Sequence, residues 1–310
     1  MSTMEDKFSH LPDISTTQPD RLIKYRVSDD GFAAEVLLPG FSYTDFDRKI
    51  GGKLSLWSVA KMMESIRVLA LRKLIDSTLF SLGDSTIFLA RSMLELSPLL
   101  QSDVYLYQNG FSFQQPMLFR FYLSHMGETS FTHVTEWTDF QTKKSLGRFI
   151  VKSVYISTVT RRPKQLPTNF VPGGAKYLQS VESKTNLEKL ESVYIPSNAF
   201  KHPIQVRYSD CDINNHVNQA SYLSYCLHSG TAAAVKGQLK HFKQNIEAYP
   251  IKSIDIQYLG EVLVGDNVNV CLWEAEKKPG ELMFAINVNE KIVFTMVMKI
   301  HQNIQMSSKI

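Results

Sequence analysis

A five-residue pattern occurs twice in the chain: Tyr43-Thr44-Asp45-Phe46-Asp47 and Tyr208-Ser209-Asp210-Cys211-Asp212, with first residues 165 positions apart. A repeat at that separation copies something the size of a domain, so the chain has to be read as one unit written twice. The surroundings agree. After the first pentamer, Leu56, Val59, Ala60, Met63, Ile66 and Ala70 recur at helical spacing and predict a helix of about five turns from near Ser55; after the second, Val217, Ala220, Leu223 and Leu227 do the same. Segments rich in Val, Ile, Tyr and Phe follow each helix. They are Val104–Phe113, Met117–His125, Ser130–Thr138 and Arg148–Thr158 in the first half, and Ile254–Tyr258, Asn267–Ala275, Leu282–Val288 and Ile292–Ile300 in the second. Turn formers such as Met126-Gly127-Glu128 and Lys278-Pro279-Gly280 separate them, predicting an antiparallel sheet in each half.

The predicted class is therefore α+β in two units, residues 21–159 and 201–303, with a disordered N-terminus over 1–20 and a tail over 304–310. Residues 160–200 read as a linker, because Thr160–Gly174 holds Pro163, Pro167, Pro172 and Gly173-Gly174, with a basic cluster at Arg161-Arg162-Pro163-Lys164 taken as a solvated crossover. The charged stretch Ala175–Ser192 suits a short helix on the outside of that linker.

Chemistry concentrates after the second pentamer. Asp212, Asn214 and His216 lie two residues apart just before a helix, and that spacing puts three polar side chains on one side of an extended segment. The helix start beside them offers backbone N–H groups to a developing oxyanion. An equally simple reading makes Asp212 and Asn214 a turn, Asn218 a helix cap and His216 a packed side chain.

The run Arg207–Asn218, with its Ser-Asp-x-Asp-x-Asn-x-His-Val-Asn core, resembles the active-site motif of the plant-type acyl-ACP thioesterases, which are double-hotdog proteins. Its Tyr-x-Asp-x-Asp stem also resembles the 4-hydroxybenzoyl-CoA thioesterase branch, where the second Asp is the catalytic carboxylate. The resemblance implies a tandem hotdog, each unit a long helix wrapped by an antiparallel sheet, with Asp212, Asn214 and His216 in the catalytic set. Ile256-Gln257-Tyr258-Leu259-Gly260-Glu261 is similar to the segment bearing the family's catalytic Glu, which assigns that role to Glu261. Val262 replaces the adjacent Cys, favouring a carboxylate mechanism. The implied activity is hydrolysis of a fatty acyl thioester of CoA or acyl carrier protein, with no metal or cofactor. The rival readings are a non-catalytic acyl- or lipid-binding hotdog protein and a hydratase of enoyl thioesters.

The first copy departs from the pattern. At constant offset Asp47 faces Asp212, Lys49 faces Asn214 and Gly51 faces His216, and a looser alignment sets Phe111 opposite Glu261. That unit reads as structural, with one active site per chain and any further assembly a homodimer of tandem chains. The net charge of +4 is spread without a basic stripe, excluding a nucleic-acid footprint. Three cysteines are too few for a disulfide framework. With no apolar run of membrane-spanning length and an acidic, polar start, the expected compartment is the cytoplasm. Ser308-Lys309-Ile310 approximates the peroxisomal Ser-Lys-Leu address.

Overall fold

The computed structural model describes residues 5–17, 23–47, 50, 52–74, 83–101, 115–182, 184–212, 215–276 and 278–301. The expected strand Val104–Phe113, the tail and Asn214 lie wholly or mainly outside them. The chain divides into two compact units that interleave in sequence: Met1–Phe41, Met63–Ser92 and Ser112–Lys189 form the first, and Ser42–Met62, Met93–Phe111 and Leu190–Ile310 the second. The contiguous split expected from sequence is replaced by an exchange. The first pentamer and the opening turns of its helix count with the second unit.

In the first unit, strands β1 (Lys24–Val27), β2 (Ala33–Leu38), β6 (Met117–Met126), β7 (Ser130–Asp139), β8 (Ser145–Ser157) and the early part of β5 (Ser85–Leu96) follow the order β1-β2-β6-β7-β8-β5. Every pairing from β1 to β8 is antiparallel. Strand β5 was missed in the sequence: its alternation is broken by Arg91 and Glu95. Helix α1 (Leu56–Leu74) begins where the periodicity puts it. Its C-terminal Ala70 and Leu71 join Phe121, Leu123, Phe131 and Tyr155 in one buried cluster. Each such large side chain contributes roughly 2–3 kcal/mol on burial.

Two expectations fail here for the same reason, a need to cover that cluster. Of the N-terminus read as disordered, residues 5–17 are ordered enough to carry a 3-10 turn, Glu5–Phe8, and Phe8 is 3% exposed within the cluster. The Pro/Gly stretch read as a linker contains helix α2 (Val171–Gln179), with a proline in its first turn and Phe170 and Tyr177 buried against Phe32. Its glycines allow close approach: a Cβ on Gly174 would lie 2.9 Å from the Met126 sulfur. The following strap is tied down by Thr185 N–H to Ser124 Oγ (2.6 Å) and Lys152 Nζ to the Leu187 carbonyl (3.1 Å).

The second unit has the order β5-β10-β13-β12-β11-β9, built from β9 (Phe200–Gln205), β10 (Ile251–Tyr258), β11 (Asn267–Glu274), β12 (Glu281–Val288), β13 (Lys291–Ile300) and the end of β5. The short pair β3 (Phe46–Asp47) and β4 (Lys53–Leu54) also belongs to it. Helix α3 (Gln219–Val235) packs on this sheet, buried through Tyr222, Leu223, Cys226, Ser229 and Ala233. Gly230 lets it approach the 3-10 turn Ile246–Ala248, since a Cβ there would stand 2.5 Å from the Ile246 methyl. No helix among the described residues is long and apolar enough to cross a membrane.

Candidate active site

The second pentamer is a 3-10 turn, Tyr208–Asp210, held by its third residue. Asp210, 6% exposed, accepts from the Arg207 backbone N–H (2.9 Å), the Arg207 guanidinium (3.1 and 3.2 Å) and the Tyr225 hydroxyl (2.7 Å). Burial alone would raise its pKa, but these hydrogen bonds win and hold it below the ordinary carboxylate value. Asp210 is thus an anchor of the loop. This leaves Asp212 as the carboxylate on the loop beyond it.

From Cys211 the chain makes a tight reversal. Cys211 bridges Val217, the Asp212 N–H donates to the His216 carbonyl (2.9 Å), and Asn215 closes the turn on the Asp212 carbonyl (3.0 Å) with φ of 60°. Asp212 and His216 are therefore direct neighbours across the reversal. Asn218 then caps α3, its side chain accepting from Ala220 N–H at 2.8 Å. The turn at Asp212 and the cap at Asn218 expected from the simpler sequence reading are both present.

The helix start itself is less available than the sequence suggested. Asn218 N–H donates to the Asp210 carbonyl (2.9 Å), Ala220 N–H to the cap, and Ser221 and Tyr222 N–H to the Asn218 carbonyl (2.9 and 3.3 Å). Four N–H groups once offered to an oxyanion are already engaged.

Glu261 arrives from the other side. Past β10, residues 259–264 run antiparallel to the reversal: Val217 N–H donates to the Val262 carbonyl (2.9 Å) and His216 bridges Leu263. Val262 is fully buried, so the alternation of an extended segment turns Glu261 outward. Its Oε2 lies 3.6 Å from His216 Nε2, with the two side chains 29% and 30% exposed. Residues 45 positions apart in sequence thus meet. Tyr208, Leu259, Leu263 and Val264, all at least 43% exposed, belong to these two segments and give the site an apolar surround.

No thiol here is prepared for nucleophilic attack. Burial and the neighbouring Asp210, Asp212 and Asp266 push Cys211 up, and burial pushes Cys226 and Cys271 up. No three His, Cys, Asp or Glu side chains gather into a metal-holding group among the described residues.

The first copy repeats the scaffold with a longer loop. Ser42 N–H donates to Asp45 Oδ2 (2.7 Å) as Arg207 does to Asp210, and Ser55 N–H donates to the Asp45 carbonyl (2.9 Å) as Asn218 does to that of Asp210. Phe46 pairs with Leu54 as Cys211 bridges Val217. Gly52, at φ of 78°, closes on the Asp47 carbonyl as Asn215 closes on that of Asp212. Five residues separate Asp47 from Lys53, against three between Asp212 and His216. Lys53, rather than the Gly51 of the constant-offset alignment, therefore stands at the His216 position.

Residues 195–303 match the acyl-ACP thioesterase C-terminal domain. The likeness to the acyl-ACP thioesterase family is carried by this part of the chain. The matching segment spans β9 to β13 and contains His216 and Glu261. The chain superimposes on an acyl-ACP thioesterase from Bacteroides thetaiotaomicron (TM-score 0.65, 16% identity, 87% of this chain and 98% of that one). It likewise superimposes on the 12:0-ACP thioesterase from Umbellularia californica (TM-score 0.66, 14% identity, 91% and 98%). At such identities the likeness establishes the fold, a tandem hotdog that extends beyond the matching segment to the first unit. No curated protein matches the chain in sequence.

Proposed function

We propose that this protein hydrolyses fatty acyl thioesters of acyl carrier protein or CoA at one site in the matching segment. The observation that carries the reading is the meeting of His216 and Glu261 at 3.6 Å inside the segment that matches the family. In the step proposed, a water oxygen adds to the thioester carbonyl while Glu261 takes its proton. The tetrahedral adduct then collapses with cleavage of the C–S bond, and the proton passes to the departing thiolate. His216 holds Glu261 and the water in line, and Asp212 and Asn214 complete the polar set, Asp212 being the alternative nucleophile. Partial exposure of the pair lets water in, and the apolar rim suits the acyl and pantetheine parts of a substrate. The proposal extends to a cytoplasmic location, in keeping with three unpaired cysteines, and to association as a homodimer of tandem chains.

The test is thiol release measured across an acyl-CoA series from short to long and across the corresponding acyl carrier protein thioesters. Turnover on a subset is expected. A folded protein that releases thiol from none of them overturns the reading, and consumption of an enoyl thioester without thiol release would transfer it to the hydratase class.

A further inference from the structure

His216 and Glu261 lie on separate loops, so the reaction proposed above needs each loop held in place. The loop that carries Asp212 and His216 is closed at its neck, where the Asn218 N–H donates to the Asp210 carbonyl (2.9 Å) and Cys211 bridges Val217. Its C-terminal side runs straight into α3, so the chain itself fixes that side. A side chain fixes the other. The Tyr225 hydroxyl, on α3 and 5% exposed, donates to Asp210 Oδ2 at 2.7 Å. Tyr225 lies seven residues, about two helical turns, beyond the Asn218 cap and so on the same face of α3, and a side chain there leans back toward the helix start. Asp210 therefore grips the helix twice, by its carbonyl at the cap and by its carboxylate at the phenol. The other donors to that carboxylate belong to Arg207, on the loop's own flank and with a largely exposed side chain. Among the described residues, Tyr225 is thus the donor that ties the carboxylate to the helix.

We propose that Tyr225 is a positioning residue for thioester hydrolysis, acting through Asp210 to fix the loop that carries Asp212 and His216 against α3, so that His216 meets Glu261. The proposal rests on the assignment of His216 and Glu261 above. The first copy supplies an internal comparison. Ser55 N–H donates to the Asp45 carbonyl as Asn218 N–H does to that of Asp210, and seven residues beyond Ser55 stands Met62, which has no donor to offer. Asp45 is held instead by Ser42, through its N–H (2.7 Å) and its hydroxyl (3.0 Å), and is only partly buried. The neck, the reversal and the helix start all persist there, so the scaffold does not call for the hydroxyl. It accompanies the copy that carries His216 and Glu261. Burying a carboxylate and a phenol is costly unless the two pair, a cost that the first copy avoids.

Tyr225→Phe keeps the ring and removes only the donor. Misplacement of a reacting group by about 1 Å costs on the order of 100-fold in rate. The variant is expected to lose about 10- to 100-fold in kcat with KM within about twofold, because the polar set and the apolar surround all remain. Hydrogen exchange supplies a readout independent of activity. The Asn218 and Asp212 amides, which donate to the Asp210 and His216 carbonyls, should lose protection by a larger factor than the Phe284 amide, which sits in mid-sheet between two paired strands. An equal loss at all three would mark a bond that serves overall stability alone, and it would overturn the proposal. Wild-type kcat in the variant, or a change confined to KM, would overturn it as well. Failure of the underlying assignment looks different, appearing as full activity in Glu261→Gln or as a parent protein that releases no thiol, and either result removes the positioning role with it.

Discussion

Replacing Glu261 by Gln separates two roles that the geometry leaves adjacent, because it keeps shape and volume and removes the charge. At 3.6 Å two unit charges interact by about 332/(ε·3.6), roughly 1 kcal/mol in bulk water and about 5 kcal/mol at an effective ε of 20. With both side chains about a third exposed, solvent screening pulls the value to the lower end, near 1 kcal/mol. If Glu261 only steadies a protonated His216, the substitution removes about that much, and the rate falls by about tenfold or less. If Glu261 takes the proton from water, the loss is that of a general base, on the order of 100- to 10,000-fold. The assay is thiol release at saturating acyl thioester, with KM measured in parallel. A loss beyond 100-fold in kcat with KM little changed is expected, since Gln keeps the size of the side chain and leaves the apolar surround intact. A loss within tenfold would refute the base assignment and leave Asp212 as the carboxylate that attacks. Combining Glu261→Gln with His216→Ala should cost little more than the worse single change, because each disables the same step.

Asp47→Ala should leave turnover within a fewfold, because its copy of the site has Lys53 at the His216 position; a loss matching that of Asp212→Ala, with both proteins folded, contradicts the one-site reading. His133, fully buried between Phe121 and Phe131, is held neutral by burial and by the charge of Arg67, so its folded pKa lies well below the unfolded 6.5. The stability it allows is complete above about pH 6.5 and is lost as pH falls below it, so between pH 7 and 5 the parent should lose about 2 kcal/mol more than His133→Phe in denaturant titrations; parallel profiles would refute this. Glu35, 2% exposed, binds Arg26 (2.8 Å) and Arg120 (3.0 Å), and Glu35→Ala should lower unfolding free energy by about 3 kcal/mol; a change below 1 kcal/mol would show that the two guanidiniums need no carboxylate there.

Periodicity places the starts of α1 and α3 within a residue or two, and Val, Ile and aromatic residues mark β6, β7, β8 and β10 to β13. It failed where burial is bought by other means. Strand β5 carries Arg91 and Glu95 among its apolar positions, and α2 is written in Pro172, Gly173 and Gly174, residues that ordinarily end helices. In α2 the proline occupies the first turn, where its missing N–H costs nothing, and the glycines give the closeness to Phe32 and Met126. In the site, the motif singled out Asp212, Asn214 and His216 and the downstream Glu261, and the structure brings His216 and Glu261 together. It could not show that Asp210 is an anchor, since two aspartates two apart look alike until Arg207 and Tyr225 claim one of them.

The first copy shows why a preserved scaffold need not preserve chemistry. The Asp45 anchor, the reversal and the helix start persist, which is what the fold requires of the pentamer. The functional side of the same loop has been rebuilt. Lys53 donates to the Ala248 carbonyl at 2.9 Å, and Leu56 N–H at the start of α1 donates to Glu247 Oε1 at 2.8 Å. Burial raises the Glu247 pKa, the Leu56 hydrogen bond opposes this, and Asp47 adds to the rise. A carboxylate supplied by the chain itself therefore occupies the helix start, and the cavity beside Lys53 and Glu247 has room for about one water. A thioester carbonyl would have to displace Glu247 to reach those N–H groups, leaving a buried carboxylate without its donor. In the second copy the helix start is closed by Asn218, which is neutral and local, and the carboxylate stands apart on Glu261 beside a histidine. The difference between the copies lies in where the carboxylate is held: bonded to the helix in one, and facing His216 with access to water in the other.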